Sequence, residues 1–261
     1  MKIYQFGKEN QKIFVMFECT AEPWWVFKDS AGLLAKDYRV LLFIADGHDE
    51  LGTTFVSLEK NVRDAANWLR KQNITYIDAM YGVSMGGASV IRFLATEDIP
   101  VKKAIIDAGI TPYPYPKPIC RMIAIWDFLS INLVTKNYKM MKIAAPPERW
   151  TPKNEDPEEH YQKIFEFEKN HYSPATIYNV FWTTNNYAMP EPMPKIDTKI
   201  EYWYGEKEKR ARKNDIKYTC KVYPQTVVKE FKGLAHAELV LMHPQRFYEE
   251  VKRFLEEEDD Q

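Results

Sequence analysis

The 261-residue chain predicts an α/β fold: a mainly parallel central sheet flanked by helices, with an inserted helical segment. Three observations predict it. Short apolar runs, the kind found in strands covered on both faces, recur in Ile13-Phe14-Val15-Met16-Phe17 and in Val40-Leu41-Leu42-Phe43-Ile44-Ala45. Amphipathic segments stand between such runs, as where Leu58, Val62, Ala65, Ala66 and Leu69 recur at three- and four-residue spacing. Strands alternating with helices imply right-handed crossovers and a parallel sheet. Finally, the alternation stops at Thr111 and resumes at Ile200, with proline-rich stretches at both ends of the gap.

Taken in order, residues 3–6 alternate weakly and read as a short edge strand, followed by a turn at 7–10. The run 13–17 is a buried strand, and the loop 18–25, with Trp24 and Trp25, falls at a carboxyl edge, where open α/β sheets place ligands. Residues 25–34 suit a helix, 40–45 a second buried strand, and 58–69 an amphipathic helix. Residues 74–81 form a strand that runs into Gly82-Val83-Ser84-Met85-Gly86, and a helical pattern follows over 88–94. A short strand is expected at 104–107. Within 111–198 the alternating prolines of 112–118 and 190–194 bound helical stretches at 119–134, 157–170 and 173–182. Met122, Trp126, Leu129 and Leu133 share one side of the first of these. Strands return at 200–204 and, nearer an edge, at 226–231, and a closing helix opens at Pro244. The acidic run 256–260 reads as a solvated tail. The expected division is therefore a core of 1–110 and 199–261 with a helical cap of 111–198.

Composition narrows the classes. Hydrophobic residues at 45% and charged residues at 28% are ordinary for a soluble globular chain. A net charge of −1 argues against a nucleic-acid partner, and the basic run 207–213 has no interleaved aromatics. Cys19, Cys120 and Cys220 are too scattered for a disulfide framework or a zinc site. No signal peptide is expected at the N-terminus, and no stretch reaches the ~18 apolar residues of a membrane span, so a cytoplasmic setting is the expectation.

Strand, G-x-S-x-G and helix together make the context of a nucleophile elbow. A serine on so sharp a turn needs small neighbours two residues either side, which Gly82 and Gly86 supply. The helix start turns the Met85 N–H toward an oxyanion.

Four pieces in this order resemble the α/β-hydrolase fold, in its esterase- and lipase-like serine hydrolases. They are the strand ending Ala45-Asp46-Gly47-His48, the elbow Gly82 to Gly87, the acid loop Gly205-Glu206-Lys207-Glu208, and Gly233-Leu234-Ala235-His236 before the last helix. The resemblance spans nearly the whole chain and carries the order serine, acid, histidine. It implies Ser84 as nucleophile, His236 as base and Glu208, where relatives have aspartate, as acid. Glu206 and Asp107 remain alternative acids. The second oxyanion amide falls on Cys19 (or Thr20). Here the sequence departs from its relatives: Phe17-Glu18 stands where they carry His-Gly, which sets a carboxylate near the developing negative charge unless Glu18 points away.

The implied chemistry is cofactor-free and metal-free cleavage of a small-molecule carboxylic ester through an acyl-enzyme. Thioesterases, peptidases and C–C hydrolases share the fold, and a ligand-binding protein of little activity is the reading from another class. The cap is expected to supply an apolar acyl pocket from Trp24, Trp25, Met122, Trp126, Met140 and Trp182, one that rejects large or charged acyl groups. Oligomeric state is not legible.

Overall fold

A computed structural model describes residues 1–257. Its strands are β1 (Lys2–Phe6), β2 (Ile13–Phe17), β3 (Arg39–Ile44), β4 (Ile77–Val83), β5 (Val101–Asp107), β6 (Lys199–Gly205) and β7 (Val227–Phe231). They form one sheet in the order β1-β3-β2-β4-β5-β6-β7. β1 pairs antiparallel with β3, and every other pairing is parallel. Both edges match the sequence reading: β1 is only partly covered, and Val227 and Val228 of β7 are exposed.

Side chains of a strand point alternately to opposite faces, so a doubly covered strand feeds two cores. β2 does so: Ile13, Val15 and Phe17 join one cluster, Phe14 and Met16 the other. The first cluster is closed by α2 (Leu58–Lys71) and α3 (Met85–Thr96). The second is closed by α1 (Lys28–Leu34) and by the C-terminal helix through Phe247, Val251 and Phe254. The α2 residues expected on its inner face, Leu58, Val62, Ala65, Ala66 and Leu69, are all buried.

Between β5 and β6 come α4 (Lys117–Lys136), α5 (Tyr138–Ala144), α6 (Pro157–His171) and α7 (Pro174–Thr184). Asn137, Asp156 and Ser173 side chains cap the last three, each satisfying an amide of the first turn. α4 packs on α5, α6 and α7, and α7 reaches α2 and α3. Polar pins secure α7 to the loop before α2: Asn179 donates to the Phe55 carbonyl at 2.9 Å, and Phe55 N–H donates to Thr176 at 3.2 Å.

The stripe of α4 runs against expectation. Met122 and Trp126 are 65% and 72% exposed, and Leu129 and Leu133 stand outside with them. The inner face is carried by the buried Cys120, Ala124 and Thr135, with Phe128, Ile131 and Val134 packed beside them against the other inserted helices. By length and composition α4 is also apolar enough to cross a membrane, where none was expected.

Behind β6 lies α8 (Lys209–Val222), entered through a 3-10 turn at Glu206–Glu208, and the chain closes with α9 (Glu238–Met242) and α10 (Pro244–Glu256). The short helices α5 and α9 were not anticipated. The first turn of the helix expected from Trp25 is 3-10, over Trp24–Phe27. Glu256 ends α10 and Glu257 follows it exposed, while residues 258–260 of the expected acidic tail lie outside the described residues.

Candidate active site

Ser84 sits between β4 and α3 with φ of 57° and ψ of −113°, a backbone region costly for any residue with a side chain. Such strain amounts to about 1–3 kcal/mol and persists only where surroundings enforce it. They do so here by proximity. A Cβ on Gly82 would strike the Gly86 backbone, and one on Gly86 would strike the Phe17 and Glu18 carbonyls. The Ser84 N–H donates to the Asp107 carbonyl at 2.8 Å, which ties the turn to β5.

His236 lies in the loop after β7. That loop and the acid loop are joined edge to edge: Lys207 N–H donates to the Leu234 carbonyl at 3.1 Å and Gly233 N–H to Glu206 at 2.8 Å. The Leu234 and Ala235 carbonyls pass so close over Gly205 that no side chain fits there. Glu238 accepts from Ala235 N–H at 2.7 Å and from Arg149 Nε at 3.1 Å, which braces the same loop from the inserted segment.

The His236 ring meets Glu208 through Nδ1, at 2.7 Å from Oε2. Burial raises the Glu208 carboxyl, but the His236 hydrogen bond and charge, Arg212 nearby and the Gly205 amide outweigh it and hold the group below the usual range. Glu208 thus fixes the tautomer with Nδ1 protonated, which leaves Nε2 free to accept a proton. The other carboxylates are engaged elsewhere. Glu206 holds Gly233, as above, and Asp107 accepts from the Tyr81 hydroxyl at 2.7 Å. Burial pushes Asp107 up to about 7.

Ser84, His236 and Glu208 line one cavity of about 430 Å³. Among the described residues the Ser84 hydroxyl makes no hydrogen bond; contacts of this kind commonly tighten only when substrate is bound. The amides of Met85 and Cys19 likewise have no acceptor elsewhere in the described chain. Glu18 is buried with its Oε1 accepting from Ala45 N–H at 2.7 Å, so it is drawn toward the end of β3. Burial drives its carboxyl well above the usual range. Cys19 is buried and its thiol is pushed up by burial, which favours a packing role over a nucleophilic one.

The expected pocket residues are not brought together. Trp24 stacks on Tyr4, ring centres 3.9 Å apart, against the edge strand β1. Trp25 packs edge-on to Phe167 and borders a cavity that excludes Ser84. Met122 and Trp126 face solvent. Met140 and Trp182 line neither cavity at His236, whereas their neighbours Met141 and Phe181 do. Each time the helix turns the adjacent residue inward.

Arg212 and Asp215, 3.0 Å apart, also border the Ser84 cavity and were not anticipated. The signal was present: Glu208, Arg212 and Asp215 stand at i, i+4 and i+7, one face of a helix. Asp215 accepts from the Thr111 amide and hydroxyl at 2.9 and 2.8 Å, which anchors the start of the inserted segment beside the site.

Sheet order, elbow and the two loops at the carboxyl edge together define the α/β-hydrolase fold. Solved structures agree. An α/β-hydrolase family protein from Desulfitobacterium hafniense superposes with a TM-score of 0.74 at 16% identity, covering 97% of this chain and 100% of that one. An esterase from Thermogutta terrifontis gives 0.71 at 13% identity, covering 97% and 92%. An enol-lactonase from Burkholderia xenovorans LB400 gives 0.69 at 15% identity, covering 98% and 96%. No protein-family model and no curated protein matches the sequence.

Proposed function

We propose that the chain is a serine hydrolase that cleaves carboxylic esters of small to medium apolar acyl groups. The observation that carries this reading is the His236–Glu208 pair, 2.7 Å apart, at the cavity that the strained Ser84 also lines. Ser84 attacks the ester carbonyl while His236 Nε2 takes its proton, and Glu208 stabilises the imidazolium that forms. The Met85 and Cys19 amides receive the oxyanion. His236 then protonates the leaving alcohol, and water enters by the same base to release the acid. The turned-away Glu18 supports a working oxyanion site, and so disfavours a binding protein without catalysis. The esterase and the enol-lactonase among the structural neighbours act on bonds of this class by their names. The helices α4 to α7 would act as the lid of the site.

A fluorophosphonate tests the reading. It should modify Ser84 alone, and Ser84→Ala should lose labelling together with p-nitrophenyl ester turnover. Labelling elsewhere, or turnover that survives Ser84→Ala, would sink it.

A further inference from the structure

His236 borders a second cavity, of about 300 Å³, on which Ser84 does not open. This is the lower end of the size of small-molecule sites, ~300–1,000 Å³. Ile131, Val134, Met141, Trp150 and Ile164 make its walls apolar, and Cys19, whose amide is one of the two free donors, lies at its border. Two acidic residues line it, Glu22 and Glu168, together with His160, whose Nε2 is buried without a partner among the described residues.

Glu168 is only 5% exposed, and neither of its carboxyl oxygens has a hydrogen-bond partner among the described residues. The Glu22 carboxyl has none either. Neither group caps a helix or closes an ion pair among those residues. Lys136, the cation that lowers Glu168, is engaged by the carbonyls of Lys169 at 2.7 Å and Tyr172 at 2.8 Å. Burial pushes Glu22 up to about 8, and burial with Glu22 close by drives Glu168 well above the usual range. Glu168 is a buried carboxyl without a partner, which is costly, and Glu22 stands partly exposed and unpaired; nothing in the fold uses these two.

The cavity therefore offers apolar walls with unpaired carboxyl acceptors among them. Ammonium is the group that matches: it has three donors and no acceptor, and it brings the charge two carboxyls lack. A hard metal ion fits poorly, since it demands six or more oxygen ligands. We propose that this cavity binds an alkylammonium group between Glu168 and Glu22, so that the favoured acyl chain is aliphatic and ends in an amine. The second half rests on the serine-hydrolase reading and replaces its wholly apolar acyl group with one that is apolar along the chain and charged at its end. His236 borders both cavities, and on this proposal the acyl chain runs from Ser84 past the imidazole into the second one.

Binding is measured first, on the full chain, with hexylammonium and hexan-1-ol in a calorimeter. Hexylammonium should bind at least about tenfold more tightly, and Glu168→Gln and Glu22→Gln should each erase the difference. Equal binding, or a preference that survives both substitutions, overturns the proposal. Turnover is measured second, with p-nitrophenyl esters of 6-aminohexanoate and of heptanoate, its uncharged isostere. The amino ester should lead in kcat/KM by about tenfold, and the ratio should collapse in Glu168→Gln. A lead for heptanoate in the unsubstituted protein overturns the proposal. Hexylammonium binding that depends on Glu168, with neither ester cleaved, would mean that the serine-hydrolase reading has failed while the ammonium site stands. Heptanoate turnover without ammonium binding would mean the reverse.

Discussion

Helices α2 and α4 carry comparable apolar stripes in sequence and use them in opposite ways. In α2 every residue of the stripe is buried against the sheet. In α4 the stripe faces outward, and a different face, with Cys120, Ala124, Phe128, Ile131 and Val134, packs inward. A helix laid on a sheet meets a fixed apolar surface, so its periodicity reports burial. A helix packed among other helices can bury a second apolar face instead, and the stripe then does not report which side meets the core. The sheet layers are held by apolar area; the inserted segment is held in good part by pins such as Asn179 and Thr111.

Three measurements would break or sharpen that contrast. The largest effect should come from the acid loop, in the sheet layers. Glu208→Gln should lower kcat by roughly 10²–10⁴ with Glu206→Gln near the unsubstituted enzyme. Loss of activity in Glu206→Gln instead would move the acid by two residues and undo the geometry drawn here. A stability pair comes next. Leu69→Ala in α2 should cost ~2–5 kcal/mol in denaturant unfolding, and Trp126→Ala in α4 less than about 0.5 kcal/mol. Equal costs would show the α4 stripe to be covered in solution. The smallest effect concerns a pin: Asn179→Ala should cost about 1 kcal/mol, because the Phe55 carbonyl loses a buried donor. No change there would show that this pin adds nothing to holding the inserted segment.

The same contrast explains what the sequence could tell. The doubly buried strands were legible because composition alone marks them, and the elbow because sterics demand Gly82 and Gly86. His236 and Glu208 were legible because they stand in loops at fixed places in the chain order. The cavity walls were not. Choosing Met140 over Met141, or Trp182 over Phe181, is a question of helix phase that side-chain size cannot decide. Glu168 was a missed signal of another kind. It shares a helix face with Tyr161 and Ile164, at i, i+3 and i+7, so the pattern of burial pointed to it while its charge argued against.

The pairing of β5 with β6 has a last consequence. The chain leaves for the inserted segment just after Asp107 and returns to lay Trp203 beside that same residue. Elbow and histidine loop therefore keep a fixed separation across β5 and β6, however the 88 residues from 111 to 198 are built. Such an arrangement lets lineage and preference part company. Descendants can exchange, lengthen or recharge the covering helices and meet new esters, while the reacting groups keep their spacing from one generation to the next.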